Sequence, residues 1–146
     1  MTAAPPTLAG SADALVARLE SLDAGQPKSV VRAHYPVRER EQLAQLTLTV
    51  MPRGIERTVN ARGLEQVDHL VDIGVQRRLD GPDDEEQVAA MAAAVEAVAA
   101  HVAARQYAGG VTSVETRIDT LMSEEHMTAM KVYTGVVSVR MRSWAQ

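Results

Sequence analysis

The sequence contains no cysteine and no phenylalanine, and aromatic residues make up only 3% of its 146 positions. The absence of cysteine excludes disulfide bonds, thiolate catalysis and cysteine-ligated zinc or iron–sulfur sites. Without phenylalanine, the core must be built from Val, Leu, Ile, Met and Ala. Because such a core has little aromatic anchoring, we expect part of the stability to come from association with partners.

Lysine is scarce as well: among 15 basic residues, only Lys28 and Lys131 are lysines. Arginine suits planar, bidentate pairing at protein interfaces, although a genome rich in G and C produces the same bias. The net charge of −4 gives no reason to expect non-specific binding of nucleic acid by the whole molecule. A local basic surface is still compatible with these numbers.

Long hydrophobic runs are also missing. No stretch approaches the roughly 18 apolar residues that a membrane span needs, and residues 1–10 lack the basic start and apolar stretch of a secretory signal. We therefore expect a protein that is made and kept in the cytoplasm, or assembled from there, and that has no membrane partner. With 46% apolar residues, the chain is expected to form one domain over 1–146, beginning with a flexible arm over 1–10.

The clearest pattern in the chain runs from Val67 to Arg105. Apolar residues, with His69 among them, recur at every second position over 67–75, and apolar residues recur at a spacing of about 3.6 after the break at 80–82. The positions with the longer spacing are Val88, Met91, Val95, Val98 and Val102. This change of period predicts a strand followed by one long helix over 83–105 that lies on the sheet. The alanines between these positions reflect helix propensity or a second packed face against a neighbouring subunit.

Two shorter segments are predicted to be helical. A short N-terminal helix over 11–24, capped by Ser11 or Asp13, is expected to pack on the sheet. The segment 119–130 is expected to be a short helix or a Met-rich loop.

The remaining periodic segments predict strands. The cleanest alternation covers 42–51, and Pro52-Arg53-Gly54 is expected to break it, which leaves 55–63 as a loop or a thin edge strand. The predicted strands lie at 28–35, 42–51, 67–79, 111–118 and 131–142. We therefore expect an α+β fold in which a mixed or mainly antiparallel sheet of about five strands forms a core over 28–144.

No metal site is predicted. The four histidines are scattered over separate elements and none stands in an HxxxH or HExxH frame. The nearest candidate group is Asp68, His69 and Asp72. On a strand, however, Asp68 and Asp72 share one face and His69 points to the other, so we expect structural or rim roles for all three.

Catalytic and phosphate-binding motifs are not found either. The sequence has no G-x-S-x-G elbow and no glycine-rich phosphate loop, and the acidic residues of the turn before the long helix would repel phosphate. The acidic pairs at 83–86 and 124–125 are typical of helix starts. We therefore predict no catalytic residue, no cofactor and no enzymatic activity.

The arginines stand in the polar segment after the cleanest strand and near strand ends. Solvated loops and exposed ion pairs are the usual explanation for such residues. The functional interpretation is a surface that contacts an acidic partner or passing DNA through backbone charge, without reading bases. The candidate interface residues are Arg53, Arg57, Arg62, Arg77, Arg78, Arg140 and Arg142.

The order of these segments resembles a known family. Tyr35-Pro36, a charged turn, LTLTVMPRG, an Arg-bearing loop, VDIGVQRRL, an acidic helix start and a final VYTGVVSVRMRSW resemble the small tail-completion proteins of long-tailed bacteriophages and prophages. The resemblance covers 28–144 and consists of strand and turn residues, so no site residue of the family carries over.

This resemblance implies a tail terminator or neck protein with an α/β fold, in which helices back a mixed or antiparallel sheet. Such proteins form a hexameric ring that caps the tail tube and joins it to the head connector, while genomic DNA passes through the lumen without sequence readout. The implied partners are copies of the chain, the tail tube protein and a head connector or adaptor. The implied location is the tail or neck of a virion assembled in the host cytoplasm.

Two other functions stay open. The chain could be a different neck component, such as a connector adaptor or a tail tube protein, which differs in whether its rings stack. It could instead be a small-molecule-binding or enzymatic α+β domain, for which Asp68, His69 and Asp72 form the only plausible site.

Overall fold

The computed structural model describes residues 6–35, 43–60, 62–79 and 85–145. Within them the chain forms three helices and six strands. In chain order the elements are α1 (Leu8–Glu20), β1 (Lys28–Arg32), β2 (Leu46–Val59), β3 (Glu65–Arg78), α2 (Glu85–Val102), β4 (Gln106–Tyr107), β5 (Val111–Thr120), α3 (Glu124–Met130) and β6 (Val132–Ala145). The predicted α+β class is confirmed.

The strands form one mixed sheet in the order β1-β2-β3-β6-β5-β4. Only β1 and β2 run parallel, and the other neighbours are antiparallel, as predicted. The expected number of about five strands was too low, since the sheet has six. The additional strand, β4, contains two residues and is too short to give a periodic signal.

The prediction that Pro52-Arg53-Gly54 ends a strand is wrong. β2 runs through this segment to Val59, and its register with β3 shifts between Pro52 and Gly54, which places Arg53 in a bulge. The neighbouring β1 ends opposite Val50, so Pro52 lies on an edge segment, where a proline at a bulge is tolerated.

The core lies between the sheet and the two helices α1 and α2. Leu15 and Leu19 of α1, with Val95 and Val98 of α2, are fully buried against alternate strand residues such as Ile73. We call this side of the sheet the helix face. We call the opposite side, which carries Asp68, Asp72, Arg140 and Arg142, the charged face. No helix within the described residues is long and apolar enough to cross a bilayer.

Both main helices differ from their predicted bounds. α1 begins at Leu8 and is capped by Thr7, whose hydroxyl accepts a hydrogen bond from the N–H of Gly10 at 2.9 Å, so the prediction of a cap at Ser11 or Asp13 is wrong. α2 ends at Val102 rather than at 105, because the chain turns at Ala104 with φ of 49°. Residues 83 and 84 lie outside the described residues, as do residues 1–5 of the predicted arm.

Candidate functional site

The register of β3 and β6 separates the three residues of the sequence-based site candidate. Asp68 lies opposite Arg142 and Asp72 lies opposite Ser138, both on the charged face, whereas His69 lies opposite Met141 on the helix face. The predicted geometry is therefore confirmed. The three side chains do not converge on one site.

Asp68 is the centre of the charged face. Its side chain is only 3% exposed, and its carboxylate accepts hydrogen bonds from Arg142 Nε at 2.8 Å, Arg142 Nη2 at 3.1 Å and Arg140 Nη1 at 2.8 Å. The hydrogen bonds from Arg142, and then from Arg140, lower the pKa of Asp68 although burial alone would raise it. Asp68 is thus a buried anion that is held ionised by two guanidinium groups.

The network extends from Asp68 across three strands. Arg140 Nη1 also donates to Glu56 Oε2 of β2 at 2.6 Å, and these two acidic partners raise the pKa of Arg140. Four residues along β3, Asp72 accepts hydrogen bonds from Arg53 Nε at 3.0 Å and from Ser138 Oγ at 2.9 Å. The bulge in β2 places the Arg53 side chain within reach of Asp72. The charged side chains therefore connect β2, β3 and β6.

A shallow groove of about 280 Å³ lies on this face, with Arg53, Asp72, Glu115, Arg117, Ser138 and Arg140 among the residues that line it. Arg117 is paired with Asp119 at 3.3 Å. Arg53, Arg117, Arg140 and Arg142 therefore each have a carboxylate partner. The groove offers paired charges of both signs rather than a free cationic surface.

The structure brings only three of the seven candidate arginines together, namely Arg53, Arg140 and Arg142. Arg57 faces the helix side at the far end of β2 and pairs with Glu65. Arg62 is exposed in the turn between β2 and β3.

The other two candidate arginines, Arg77 and Arg78, lie at the opposite end of β3. Arg77 donates to Gln26 Oε1 at 2.7 Å. An interface role for the seven arginines stays a prediction.

The histidines with described contacts hold elements together. His69 Nδ1 and Ser11 Oγ lie 2.7 Å apart, and both residues are buried, so this contact joins α1 to β3. Burial, followed by the charge of Arg57, lowers the pKa of His69. His101 joins α2 to Arg18 of α1, and His126 contacts Thr134 of β6. The described residues contain no group of three or more acidic or histidine side chains that could hold a metal ion.

The sheet ends at the short strands β1 and β4, and two longer segments of their neighbours β2 and β5 also lack a described partner on one side. β1 pairs with β2 only as far as Val50, and β4 pairs with β5 only at Val111 and Thr112. We call Arg53–Val59 the first edge and Val114–Thr120 the second edge. No described residue pairs with the outer side of either segment. Each carries two exposed apolar residues. On the first edge Ile55 is 47% exposed and Val59 is 63% exposed, and on the second edge Val114 is 44% exposed and Ile118 is 37% exposed.

The similarity of this chain to known proteins lies in its fold and not in its sequence. The sequence matches no known family description and no curated protein. Among solved structures, the fold is similar to that of a chain in the virion of a native gene transfer agent particle. The TM-score is 0.51 and the identity 16%, over 90% of this chain and 84% of that chain. At this identity, the likeness shows a shared fold alone.

The sequence did not indicate the partners of the charged-face residues and of His69. Glu56 and Ser138 contribute to the charged face because of strand register, and Ser11 meets His69 because α1 begins three residues earlier than predicted. The sequence signal that could have indicated this face was the even spacing between Asp68 and Asp72 and between Arg140 and Arg142. Both pairs are spaced to lie on one face of a strand.

Proposed function

We propose that this protein is a non-enzymatic structural subunit of a phage or phage-like virion. The observation that carries the proposal is the similarity of its fold, over 90% of the chain, to a chain of a gene transfer agent virion. The sequence resemblance to tail-completion proteins gives the finer part of the proposal. The subunit forms a hexameric ring at the head–tail junction, caps the tail tube and joins it to the head connector.

The charged face supports a structural role. A protein that binds DNA tightly does so by neutralising phosphates with free Lys or Arg side chains. Here the arginines Arg53, Arg117, Arg140 and Arg142 are all paired with carboxylates. A ring lumen lined by such a face would let genomic DNA pass without holding it. In our proposal, therefore, DNA is a passing partner and not a bound ligand.

The arrangement of titratable groups argues against the enzymatic alternative. Asp68 and Asp72 are occupied by guanidinium groups and a hydroxyl, and His69 lies on the opposite face with Ser11. A general acid–base pair needs two groups that reach the same reacting atom. These three side chains do not meet that condition, which weighs against the site that the sequence offered for a small-molecule or catalytic function.

Light scattering on the purified chain separates the hypotheses. A terminator ring predicts a closed oligomer of about six copies whose mass does not grow with concentration. Another neck component that stacks, such as a tail tube protein, predicts open-ended growth. A monomer or dimer that binds a metabolite would contradict the assembly proposal.

A further inference from the structure

The first edge, on β2, and the second edge, on β5, face opposite ends of the strand order. Each has seven residues without a described pairing partner on its outer side. They contribute four of the nine large apolar residues that the described chain leaves exposed. Exposed strand edges with apolar side chains act as templates for pairing with another chain. The occupant must therefore be an extended strand with matching side chains.

We propose that the first edge of one copy pairs in antiparallel fashion with the second edge of the next copy, with Glu56 opposite Arg117. This inference rests on the proposed function, because it names the contact that joins the copies. The partner of each edge is thus a second copy of this chain. The contact is head to tail, since two different surfaces meet in it.

Side-chain chemistry supports this register. With Glu56 opposite Arg117, the antiparallel order places Ile55 opposite Ile118 within the regular part of β5, residues 115–118, and Val59 comes level with Val114 at a register shift of β5. Apolar and oppositely charged cross-strand pairs of this kind stabilise a sheet. The Glu56 and Arg117 side chains are 56% and 63% exposed, so both are accessible to a neighbour despite their pairs within the chain.

The two faces of the sheet also match. Ile55 lies opposite His69 and Ile118 lies opposite Val137, so both point to the helix face. Glu56 lies opposite Asp68 and Arg117 opposite Ser138, so both point to the charged face. A slip of one residue would bring side chains of opposite faces together. The sheet would thus continue from one copy to the next with its helix face and charged face aligned.

The positions of the edges are compatible with a closed ring. The centre of the second edge is level with Asp72 and the centre of the first is level with Asp68, four residues along β3. The two edge centres are therefore offset by about 13 Å along the strand direction. The four strands from β2 to β5 that each copy would add to the ring are together about 19 Å wide. Copies at equal height then need strands tilted by about 35° to the ring axis, a tilt found in closed barrels.

Cysteine cross-linking tests the register directly, because the chain has no native cysteine. A chain with both Ile55→Cys and Ile118→Cys should form disulfides between copies under mild oxidation, giving a ladder of linked species that ends at the closed ring. The matched control carries Val59→Cys and Ile118→Cys. Its sulfur atoms belong to residues about 13 Å apart in the proposed register, which is beyond disulfide reach, so no ladder is expected.

The mass of the unmodified chain in solution distinguishes a failure of the edge pairing from a failure of the proposed function. A closed oligomer without a 55–118 ladder, or with an equal ladder from the control, would overturn the edge pairing and leave the proposed function standing. A monomer at every concentration would overturn both. As a second test, Ile118→Lys should weaken self-association at least about tenfold without changing the circular dichroism spectrum. A folded variant that assembles as tightly as the parent would refute the pairing.

Discussion

Asp68 is the residue on which the charged face depends most. A carboxylate that is 3% exposed is stable in a folded chain only if opposite charges and hydrogen bonds replace its hydration. Arg142 does so with two hydrogen bonds and Arg140 with a third. The arginines are more exposed than Asp68, so water can solvate a guanidinium group that has lost its partner more readily than it can solvate the buried carboxylate.

We expect Asp68→Asn to lower the free energy of unfolding by about 2–3 kcal/mol, because it removes the charge from a buried network. The control is Asp13→Asn, which breaks an exposed ion pair of similar length, 2.7 Å to Arg32, and should cost no more than about 0.5 kcal/mol. Chemical denaturation measures both. Equal losses in the two variants would contradict a structural role for the buried carboxylate.

The same carboxylate makes stability depend on acid pH. Because Arg142 and Arg140 hold the pKa of Asp68 below 3.8 in the folded state, the unfolded chain binds the proton first as the pH falls. The stabilisation is complete above about pH 5 and is lost as the pH falls through the folded-state pKa. The difference in stability between the parent and Asp68→Asn should therefore shrink in acid. A constant difference from pH 6 to about pH 3 would contradict this assignment.

His69 adds a dependence at higher pH. Burial lowers its pKa below 6.5, so the unfolded chain is protonated first and stability falls as the pH drops below about 6.5. The pKa of His101 is lowered too, and comparison with a His69→Gln variant isolates the contribution of His69. The variant should show a smaller loss of stability between about pH 7 and pH 5.5. Identical slopes for the two proteins would show that the pKa of His69 is the same in the folded and unfolded states, which would contradict this assignment.

Among the elements, β6 pairs along its length with β3, and at Gly135 it lies close to α2 and to the end of β5. A Cβ at Gly135 would lie 2.7 Å from Val95 Cγ2 and 2.9 Å from the backbone oxygen of Leu121. The end of β5 and the helix α2 are packed directly on this position. Only glycine allows β6, the loop after β5 and α2 to approach so closely.

We therefore expect Gly135→Ala to lower the free energy of unfolding by about 1–3 kcal/mol, because a backbone oxygen cannot move away as a flexible side chain can. Gly54→Ala is the matched control, since no atom lies within 4 Å of its added Cβ, and it should change stability by less than about 0.5 kcal/mol. Thermal unfolding of the two variants measures the difference. A stability equal to the parent for Gly135→Ala would contradict this packing.

The elements also show what sequence patterns can predict. Periods of 2 and 3.6 located the long strands and the buried residues of α2, since burial on one face imposes those periods. The continuation of β2 through Pro52 was missed because edge segments and bulges tolerate residues that end central strands. The contacts of Asp68 depended on register between strands distant in sequence, and no local pattern reports register.

At the scale of the whole molecule, the arginines of the charged face are paired within the chain, whereas the first edge and the second edge have no partner among the described residues. The first edge and the second edge, which expose apolar side chains, are the segments that we propose for pairing between copies. This division suits a subunit whose work is to continue a sheet into its neighbours. Composition alone could indicate a need for partners, but the position of the edges required the sheet order.

The most direct test of the virion role is electron microscopy of particles assembled with and without this chain. The account predicts that particles lacking it have tails of abnormal length or heads left unjoined to tails, and that supplying the chain restores normal particles. Particles that are complete and of normal tail length in its absence would contradict the account.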